Sequence, residues 1–353
     1  MDTMMWRSIA TTIFMVMAPM VGRAASDDSW SYLVDKLVAD GFDSHLVVAA
    51  FDDPRMPAFD GLDFSPNRPR ESYARYRHFL RGPSVTQARR CRLQFADAVE
   101  DAERRTQVSA DVLTAILHVE TGCGRNTGSY GVLYRLARLA MANEPANLQR
   151  NFWRFADRDG TLDADTEARL RERARYLEDT FYPEVRATFQ IAQRLSIDPL
   201  AMRGSPSGAF GYPQFLPTSF LRHGVDGDGD GAISLYDPAD AAASAARYLA
   251  AHGWRPGLSR TQQRQVIWHY NHSDAYVDTV LNLATRIGAP ATAVQVAAKP
   301  KPKAKRIALK GKSKKQTALK SKSSKQTAVK TTRKTAKQKK AANRRSASTR
   351  RGG

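Results

Sequence analysis

Hydrophobic residues between positions 27 and 287 recur at the three- and four-residue spacing that lines one face of an α-helix. The spacing predicts a first helix over 30–38 that ends at Gly41, and a second over 90–107 whose inward positions are Leu93, Phe95, Ala96 and Val99. Strict alternation of hydrophobic and polar residues, the pattern of a β-strand, is scarce. We therefore expect a mainly α fold with at most a short hairpin or two.

Further helices follow from the same spacing and from residues that start or stop helices. Ser109 is the predicted N-cap of a helix that runs to Glu120, and Pro183 is expected to kink a long charged helix. The remaining predicted helices cover 166–195, 238–252, 262–270 and 275–287.

Glu120 has the most informative position in the chain. Leu113, Leu117 and Glu120 stand at i, i+4 and i+7, so a helix aligns the carboxyl group with residues that face the core, just before Gly122 and Gly124. Burial would raise the pKa of this carboxyl group toward neutrality, as a proton donor requires. The alternative is a surface glutamate at the C-terminus of a helix.

Composition changes the interpretation of the net charge of +20 over 353 residues. Residues 299–353 hold 22 of the 55 Lys and Arg residues and no acid, which leaves 33 basic against 35 acidic residues, a net charge of −2, in the rest of the chain. Lys- and Arg-rich sequence without aromatic residues cannot form a core. We expect a disordered tail over 298–353, and any affinity for nucleic acid would depend on that tail.

The N-terminal segment 1–25 combines Arg7, an apolar stretch over 9–21 and small residues before Ala25, as a cleavable secretory signal peptide does. The apolar stretch is too short for a membrane anchor. No cysteine follows it for lipidation, so we expect a soluble periplasmic protein. Cys91 and Cys123 are the only cysteines. In an exported protein they either form a disulfide or remain two buried thiols.

A second glycine-rich segment, residues 204–217, presents Tyr212 and Gln214 on a predicted loop. Amide, hydroxyl and aromatic groups in such a loop suit a polar, ring-shaped ligand such as a sugar. An ordinary Gly/Pro loop is the alternative.

A third segment, residues 226–237, resembles the calcium loop of an EF-hand. Asp226, Asp228 and Asp230 occupy positions 1, 3 and 5, a glycine occupies position 6, and the Ala232 carbonyl occupies position 7. Position 12 is Asp237 in place of the usual glutamate, so Asp240 is the alternative closing ligand. Without a cation, the segment would be a solvated acidic turn.

Five segments occur in one order along the chain: Val119-Glu-Thr121, Gly208-Ala-Phe-Gly-Tyr-Pro-Gln-Phe-Leu-Pro-Thr-Ser-Phe220, the calcium-type loop, Arg247-Tyr-Leu-Ala-Ala-His-Gly-Trp254 and Tyr270-Asn-His-Ser-Asp274. Together they resemble the lytic murein transglycosylase B family over roughly residues 33–287. The resemblance implies a lysozyme-like catalytic domain, which we place at 26–297. The short 15-residue connection between Trp254 and Tyr270 implies that the β subdomain of some members is absent.

The resemblance also implies roles for single residues. Glu120 is the expected catalytic acid, and calcium is expected as a structural ion, with Asp226, Asp228, Asp230, Ala232 and Asp240 in its loop. The residues expected to bind substrate are Tyr76, Ser205, Gln214, Tyr248, Asn271 and Tyr276.

The function implied is cleavage of the bond between N-acetylmuramic acid and N-acetylglucosamine in peptidoglycan without water, which forms 1,6-anhydro ends and needs no cofactor for the chemistry. We expect a monomer whose basic tail holds anionic polymers. One alternative is a hydrolytic muramidase with a second acid such as Asp274, and another is a non-catalytic polyanion-binding protein. His269 and His272 are interpreted as loop residues, not metal ligands.

Overall fold

The computed structural model describes residues 28–67 and 72–290. The predicted signal peptide (1–25) and basic tail (298–353) lie outside these residues. Within them, the structure is mostly helical. Three short 3-10 turns cover Asp28–Trp30, Arg77–Leu80 and Met141–Asn143. The α-helices are α1 Ser31–Ala39, α2 Ser44–Phe51, α3 Tyr73–Tyr76, α4 Gly82–Gln94, α5 Ala96–Thr106, α6 Ala110–Thr121, α7 Val132–Ala140, α8 Pro145–Phe155, α9 Ala164–Leu195, α10 Pro217–His223, α11 Pro238–Ala251, α12 Arg260–Tyr270 and α13 Asp274–Gly288.

Several helices begin where the sequence supplies a side-chain cap for free backbone N–H groups. Asp237 accepts from the N–H groups of Ala239 and Asp240 at the start of α11, and Ser273 accepts from the Tyr276 N–H at the start of α13. Ser259 and Gln262 form a reciprocal capping box at α12. Ser109 does occupy the N-cap position of α6, but its side chain makes no capping bond.

The prediction of one helix over 90–107 is wrong, because Phe95 separates α4 from α5. Phe95 leaves helical geometry with φ −107° and ψ 26°, and its buried ring packs 6.0 Å from that of Tyr212. The break changes which side chains face inward, so Leu93 is 77% exposed whereas Val99 is fully buried. The long helix α9 contains Pro183 and is continuous through it.

The buried hydrophobic residues form two main cores. The first core surrounds α6 and includes Val99, Leu113, Leu117, Leu249 and Tyr276, where α5 packs on α11 and α13 packs on α6. The second core includes Leu37, Leu136, Phe189, Phe215 and Phe220, where α7 and α10 pack on α9. Tyr248 and Tyr270 pack against both cores, so the two residues mark the boundary between them.

The described residues contain two strands, β1 (Tyr130–Gly131) and β2 (Arg203–Gly204), which pair antiparallel. This small sheet joins the segment after α6 to the second glycine-rich segment. Residues 252–259 connect α11 to α12 without a strand. Across residues 28–67 and 72–290, every helix is too short or too polar to span a bilayer.

Candidate active site

Glu120 lies in the last turn of α6, a helix in which nine of twelve residues are buried. Leu113 and Leu117 on the same stripe are fully buried, as their spacing predicts. Glu120 itself is half-buried. Burial raises the pKa of Glu120 to about 7, although the Tyr276 hydroxyl opposes this by donating to Oε1 at 2.6 Å.

The turn that follows Glu120 has a left-handed backbone over three consecutive residues. Gly122, Cys123 and Gly124 have φ values of 61°, 60° and 80°. A Cβ on Gly124 would lie 2.1 Å from the Tyr212 ring, so only glycine allows this contact. A disulfide joins Cys123 to Cys91 of α4, with 6.3 Å between the Cα atoms. The bridge and the glycines together fix the chain directly behind Glu120.

The two glycine-rich segments meet as a continuous surface beside α6. The Thr121 hydroxyl donates to the Tyr212 carbonyl at 3.1 Å, and Gly128 lies so close to the Gly204 carbonyl that an added Cβ would come within 2.1 Å of it. Gln214 adopts φ 51° and its amide donates to the carbonyl oxygens of Thr127 and Gly211, both at 3.1 Å. The structure therefore brings the second loop to the turn behind Glu120.

A row of tyrosine rings begins at Tyr276, whose hydroxyl binds Glu120. The Tyr276 ring lies 6.1 Å from Tyr76 in an edge-to-face arrangement, and 6.4 Å from Tyr270 in a nearly parallel one. Tyr248 continues the row, with its ring 5.0 Å from that of Tyr270. Tyr276 and Tyr76 are only 1% and 8% exposed, so their rings pack inside the fold and do not face a ligand. Tyr248 and Tyr270 are half-buried and can offer part of a ring to the C–H surface of a sugar. Three of the predicted substrate-binding residues, Tyr76, Tyr248 and Tyr276, therefore belong to one aromatic row.

Tyr270 belongs to this row but is absent from the predicted site residues. Its hydroxyl donates to the Pro213 carbonyl at 2.6 Å, which ties α12 to the second loop. Burial, and after it the charges of Glu120 and Tyr248, raise the pKa of Tyr270 well above its ordinary value. The sequence signal for Tyr270 is its position at the start of the motif Tyr270-Asn-His-Ser-Asp274, directly before Asn271.

Ser205 and Asn271 are the predicted residues with the least direct relation to Glu120. The Ser205 hydroxyl accepts from the Ala209 N–H at 3.2 Å, inside its own turn. Asn271 is half-buried at the C-terminus of α12, where its carbonyl accepts from the Ser273 N–H at 2.7 Å.

Asp274 and the two histidines have positions that bear on the alternative predictions. The Asp274 side chain is 65% exposed and accepts from Arg264 at 2.6 Å. Within residues 28–67 and 72–290, the influences on the pKa of Glu120 are burial and Tyr276, with no carboxylate among them. His272 lies in a loop as predicted, but the prediction is wrong for His269, which is in α12 because that helix extends to Tyr270.

The acidic loop brings three carboxylates together. Oxygens of Asp226, Asp228 and Asp240 all lie within 4.8 Å of one another. Asp240 is 2% exposed, and its two oxygens accept from the N–H groups of Gly227 at 2.7 Å and Ser234 at 2.6 Å. A backbone hydrogen bond from Asp230 favours the charged form of Asp228, but desolvation and the charges of Asp230, Asp240 and Asp237 raise its pKa. Oxygen ligands that repel one another in this way fit a hard cation such as calcium.

The other predicted calcium ligands stand outside this group. Asp237, the residue at position 12 of the loop, caps α11, so the structure places Asp240 and not Asp237 beside Asp226 and Asp228. Asp230 is exposed and its carboxylate accepts from the N–H of Ala232 at 2.7 Å. The helix cap explains the difference, because Pro238 begins α11 directly after Asp237.

Sequence and structure comparisons agree on the relatives of this chain. It is 33% identical over 193 residues to membrane-bound lytic murein transglycosylase B of Escherichia coli, a match that covers 54% of this chain and 45% of the relative. The chain thus spans about half the length of that relative.

Two crystal structures share the fold. The soluble lytic transglycosylase SltB1 from Pseudomonas aeruginosa aligns with a TM-score of 0.55 at 24% identity, over 73% of this chain and 97% of that one. The Escherichia coli lytic transglycosylase Slt35 in complex with calcium aligns with a TM-score of 0.53 at 23% identity, over 77% and 95%. The expected mainly α, lysozyme-like transglycosylase fold is confirmed. The Transglycosylase SLT domain profile matches residues 25–264, which is more than half of the sequence, and the chain therefore belongs to that family.

Proposed function

We propose that this protein is a peptidoglycan lytic transglycosylase that cleaves the β-1,4 bond between N-acetylmuramic acid and N-acetylglucosamine without water. The observation that carries the proposal is the half-buried Glu120, whose pKa is raised to about 7. A large share of this carboxyl group is protonated near neutral pH, so it can donate to the glycosidic oxygen.

The reaction needs only one protein carboxyl group. Glu120 gives its proton to the oxygen of the leaving N-acetylglucosamine as the C1–O bond breaks, and the acetamido group of the muramyl residue stabilises the positive charge at C1. The Glu120 carboxylate then takes the proton of the C6 hydroxyl, whose oxygen bonds to C1 and closes the 1,6-anhydro ring. The Tyr276 hydroxyl, 2.6 Å from Oε1, stabilises the carboxylate between the two proton transfers.

The hydrolytic alternative has less support. A hydrolase requires a second carboxyl group on the other side of the bond to activate water or to act as nucleophile. Asp274 is paired with Arg264 and largely exposed. The products distinguish the two reactions, because anhydro-muropeptides are lighter than hydrolysis products by one water.

The decisive experiment uses purified sacculi and mass spectrometry. Wild-type protein is expected to release anhydro-muropeptides, and Glu120→Gln is expected to release none while keeping its circular dichroism spectrum and its binding to sacculi. Hydrolysed products from the wild type, or lysis by Glu120→Gln at the wild-type rate, would refute the proposal.

Calcium is proposed as a structural ion held by Asp226, Asp228 and Asp240. The support is that Asp240 is a buried carboxylate without a Lys, Arg or His partner among residues 28–67 and 72–290. The relative Slt35 was crystallised with calcium. When bound, the cation would neutralise the three carboxylates and join residues 226–228 to α11, the helix that carries Tyr248.

We also propose that the protein acts in the periplasm as a monomer, and that residues 299–353 retain it near anionic polymers. The disulfide supports an oxidising compartment. The 22 basic residues of the tail support salt-sensitive binding to polyanions. Deletion of residues 299–353 is expected to weaken co-sedimentation with sacculi at low salt, and unchanged co-sedimentation would contradict the role of the tail. The alternative of a non-catalytic binding protein predicts that only this deletion, and no change at Glu120, has an effect.

A further inference from the structure

The surface formed by α3, the 3-10 turn Arg77–Leu80 and α4 carries positive charge without acidic residues. Residues 72–95 contain six arginines and neither Asp nor Glu. Outside the C-terminal tail, the chain has 33 basic and 35 acidic residues. The excess positive charge is therefore a local feature of this surface.

Some of these arginines bind other groups of the protein, but several do not form ion pairs. Arg92 pairs with Glu100 at 2.9 Å, and Arg89 donates to the Arg286 carbonyl at 2.7 Å. Arg75, Arg77 and Arg81 are exposed, and none of them forms an ion pair within residues 28–67 and 72–290. These guanidinium groups are available to an anionic ligand.

Arg125 joins the same surface from the turn after Glu120. It is exposed and has no acidic partner in the described part of the chain. Its guanidinium lies 3.6 Å from the position of a Cβ on Gly122, and the Gln87 amide of α4 lies 3.7 Å from the same point. Burial, and then the charges of Arg125 and His78, lower the pKa of His118 to about 4, as expected if both charges are close to that ring.

This surface borders the aromatic row beside Glu120. Tyr76 stands between Arg75 and Arg77 in the sequence, and its ring lies 6.1 Å from that of Tyr276, whose hydroxyl binds Glu120. A polymer bound at Glu120 therefore passes next to the arginines. Anionic substituents of that polymer would therefore lie closest to these guanidinium groups.

We propose that Arg75, Arg77, Arg81 and Arg125, which we call the arginine surface, bind the carboxylates of the peptide stems carried by a glycan strand at Glu120. The inference rests on the proposed function, because that function places peptidoglycan at this position. Each stem presents several separate carboxylates, and guanidinium groups bind carboxylates through paired hydrogen bonds. The arginine surface thus favours strands with peptides over bare glycans.

Binding to an inactive protein tests the proposal without depending on turnover. In a Glu120→Gln background, Arg75, Arg77, Arg81 and Arg125 are all changed to Gln, and Kd is measured for short soluble glycan strands. One set of strands carries its stem peptides, and the other has been stripped by an amidase. The matched control changes Arg158, Arg175, Arg194 and Arg255 to Gln, four exposed arginines without ion pairs in the described residues.

An exposed ion pair changes affinity by a factor of about two, so four are expected to contribute roughly tenfold. The arginine-surface variant is expected to bind peptide-bearing strands about tenfold more weakly and stripped strands unchanged, and high salt is expected to remove the difference. The control should bind both like the Glu120→Gln parent. Equal loss on both strands, no loss on peptide-bearing strands, or tighter binding to polyphosphate than to peptide-bearing strands would overturn the proposal. Failure of the proposed function appears separately, as absence of anhydro products from the wild type.

Discussion

The Tyr276 hydroxyl donates a 2.6 Å hydrogen bond to Oε1 of Glu120, although 156 residues separate the two in the sequence. The bond connects the last turn of α6 to the first turn of α13. It favours the charged form of a carboxyl group whose pKa burial has raised to about 7. Tyr276 therefore limits how far the pKa of Glu120 rises, a role that the family resemblance, which assigned it to the substrate, did not include.

Tyr276→Phe is expected to move the pH dependence of activity. Without the hydroxyl, the pKa of Glu120 rises further above 7, so the fall of kcat on the alkaline side shifts to higher pH. Hydrogen bonds to charged groups contribute about 1.5–3 kcal/mol, so kcat/KM should decrease roughly 10- to 100-fold. The measurement is a pH profile of anhydro-muropeptide release.

Tyr248→Phe is the matched control for that profile, since its hydroxyl donates at 2.7 Å to the His269 carbonyl and not to Glu120. Its alkaline limb should coincide with that of the wild type. An unshifted limb in Tyr276→Phe would show that the hydrogen bond does not influence the acid.

Glu120→Gln is expected to stabilise the fold at alkaline pH. The folded-state pKa of Glu120 is about 7, against an ordinary value of 4.5, so the folded state binds this proton more tightly than the unfolded state. Its contribution to stability is complete below pH 4.5 and is lost as the pH rises to about 7. Above that pH the buried charge lowers the free energy of unfolding of the wild type by on the order of 3 kcal/mol. The glutamine variant carries no such charge and is not destabilised in this way.

Urea unfolding at pH 5 and pH 8 measures this difference. The free energy of unfolding of Glu120→Gln should be higher than that of the wild type at pH 8. At pH 5 the difference between the two proteins should be much smaller. Asp274→Asn, a change at an exposed acid, should show no such divergence. A constant difference between Glu120→Gln and wild type at both pH values would mean that the carboxyl group is not desolvated.

Gly124→Ala is expected to lower both stability and activity. The added methyl group would lie 2.1 Å from the Tyr212 ring, and the residue has φ 80°. Gly257→Ala separates the two effects, because Gly257 has a similar φ of 78° but open space around it. We expect Gly257→Ala to lower the free energy of unfolding by about 1 kcal/mol through backbone strain alone, and Gly124→Ala to lower it by several kcal/mol. Equal thermal shifts for the two variants would exclude the steric contribution of Tyr212.

The disulfide is expected to stabilise the turn behind Glu120. Cys91 and Cys123 are 32 residues apart, and the chain-entropy estimate for such a loop is about 3 to 4 kcal/mol. The Cys91→Ser, Cys123→Ser double variant should lose about this much in urea unfolding, and its kcat should decrease because the left-handed turn is no longer tied to α4. The reduced wild type should match the double variant, and a double variant as stable as the oxidised wild type would contradict the estimate.

Residues with local signals were predicted well, and those that depend on tertiary contacts were not. The spacing of Leu113, Leu117 and Glu120 is a property of one helix, so burial of the stripe follows from sequence. Phe95 ends α4 because its ring packs against Tyr212, more than 100 positions away, and no local pattern contains that contact. The place of Tyr270 beside Glu120 likewise depends on how α12 and α13 pack, which periodicity does not specify.

Calcium removal tests which aspartate closes the acidic loop. Chelation is expected to lower Tm, because the ion binds the folded state and three adjacent carboxylates repel one another without it. Asp240→Asn should lower Tm and abolish the shift with added calcium, since Asp240 lies with Asp226 and Asp228. Asp237→Asn should cost only about 1 kcal/mol or less at the α11 N-cap and keep the calcium-dependent shift. The reverse pattern would assign the closing ligand to Asp237, because only a residue that binds the ion can remove the dependence of Tm on calcium concentration.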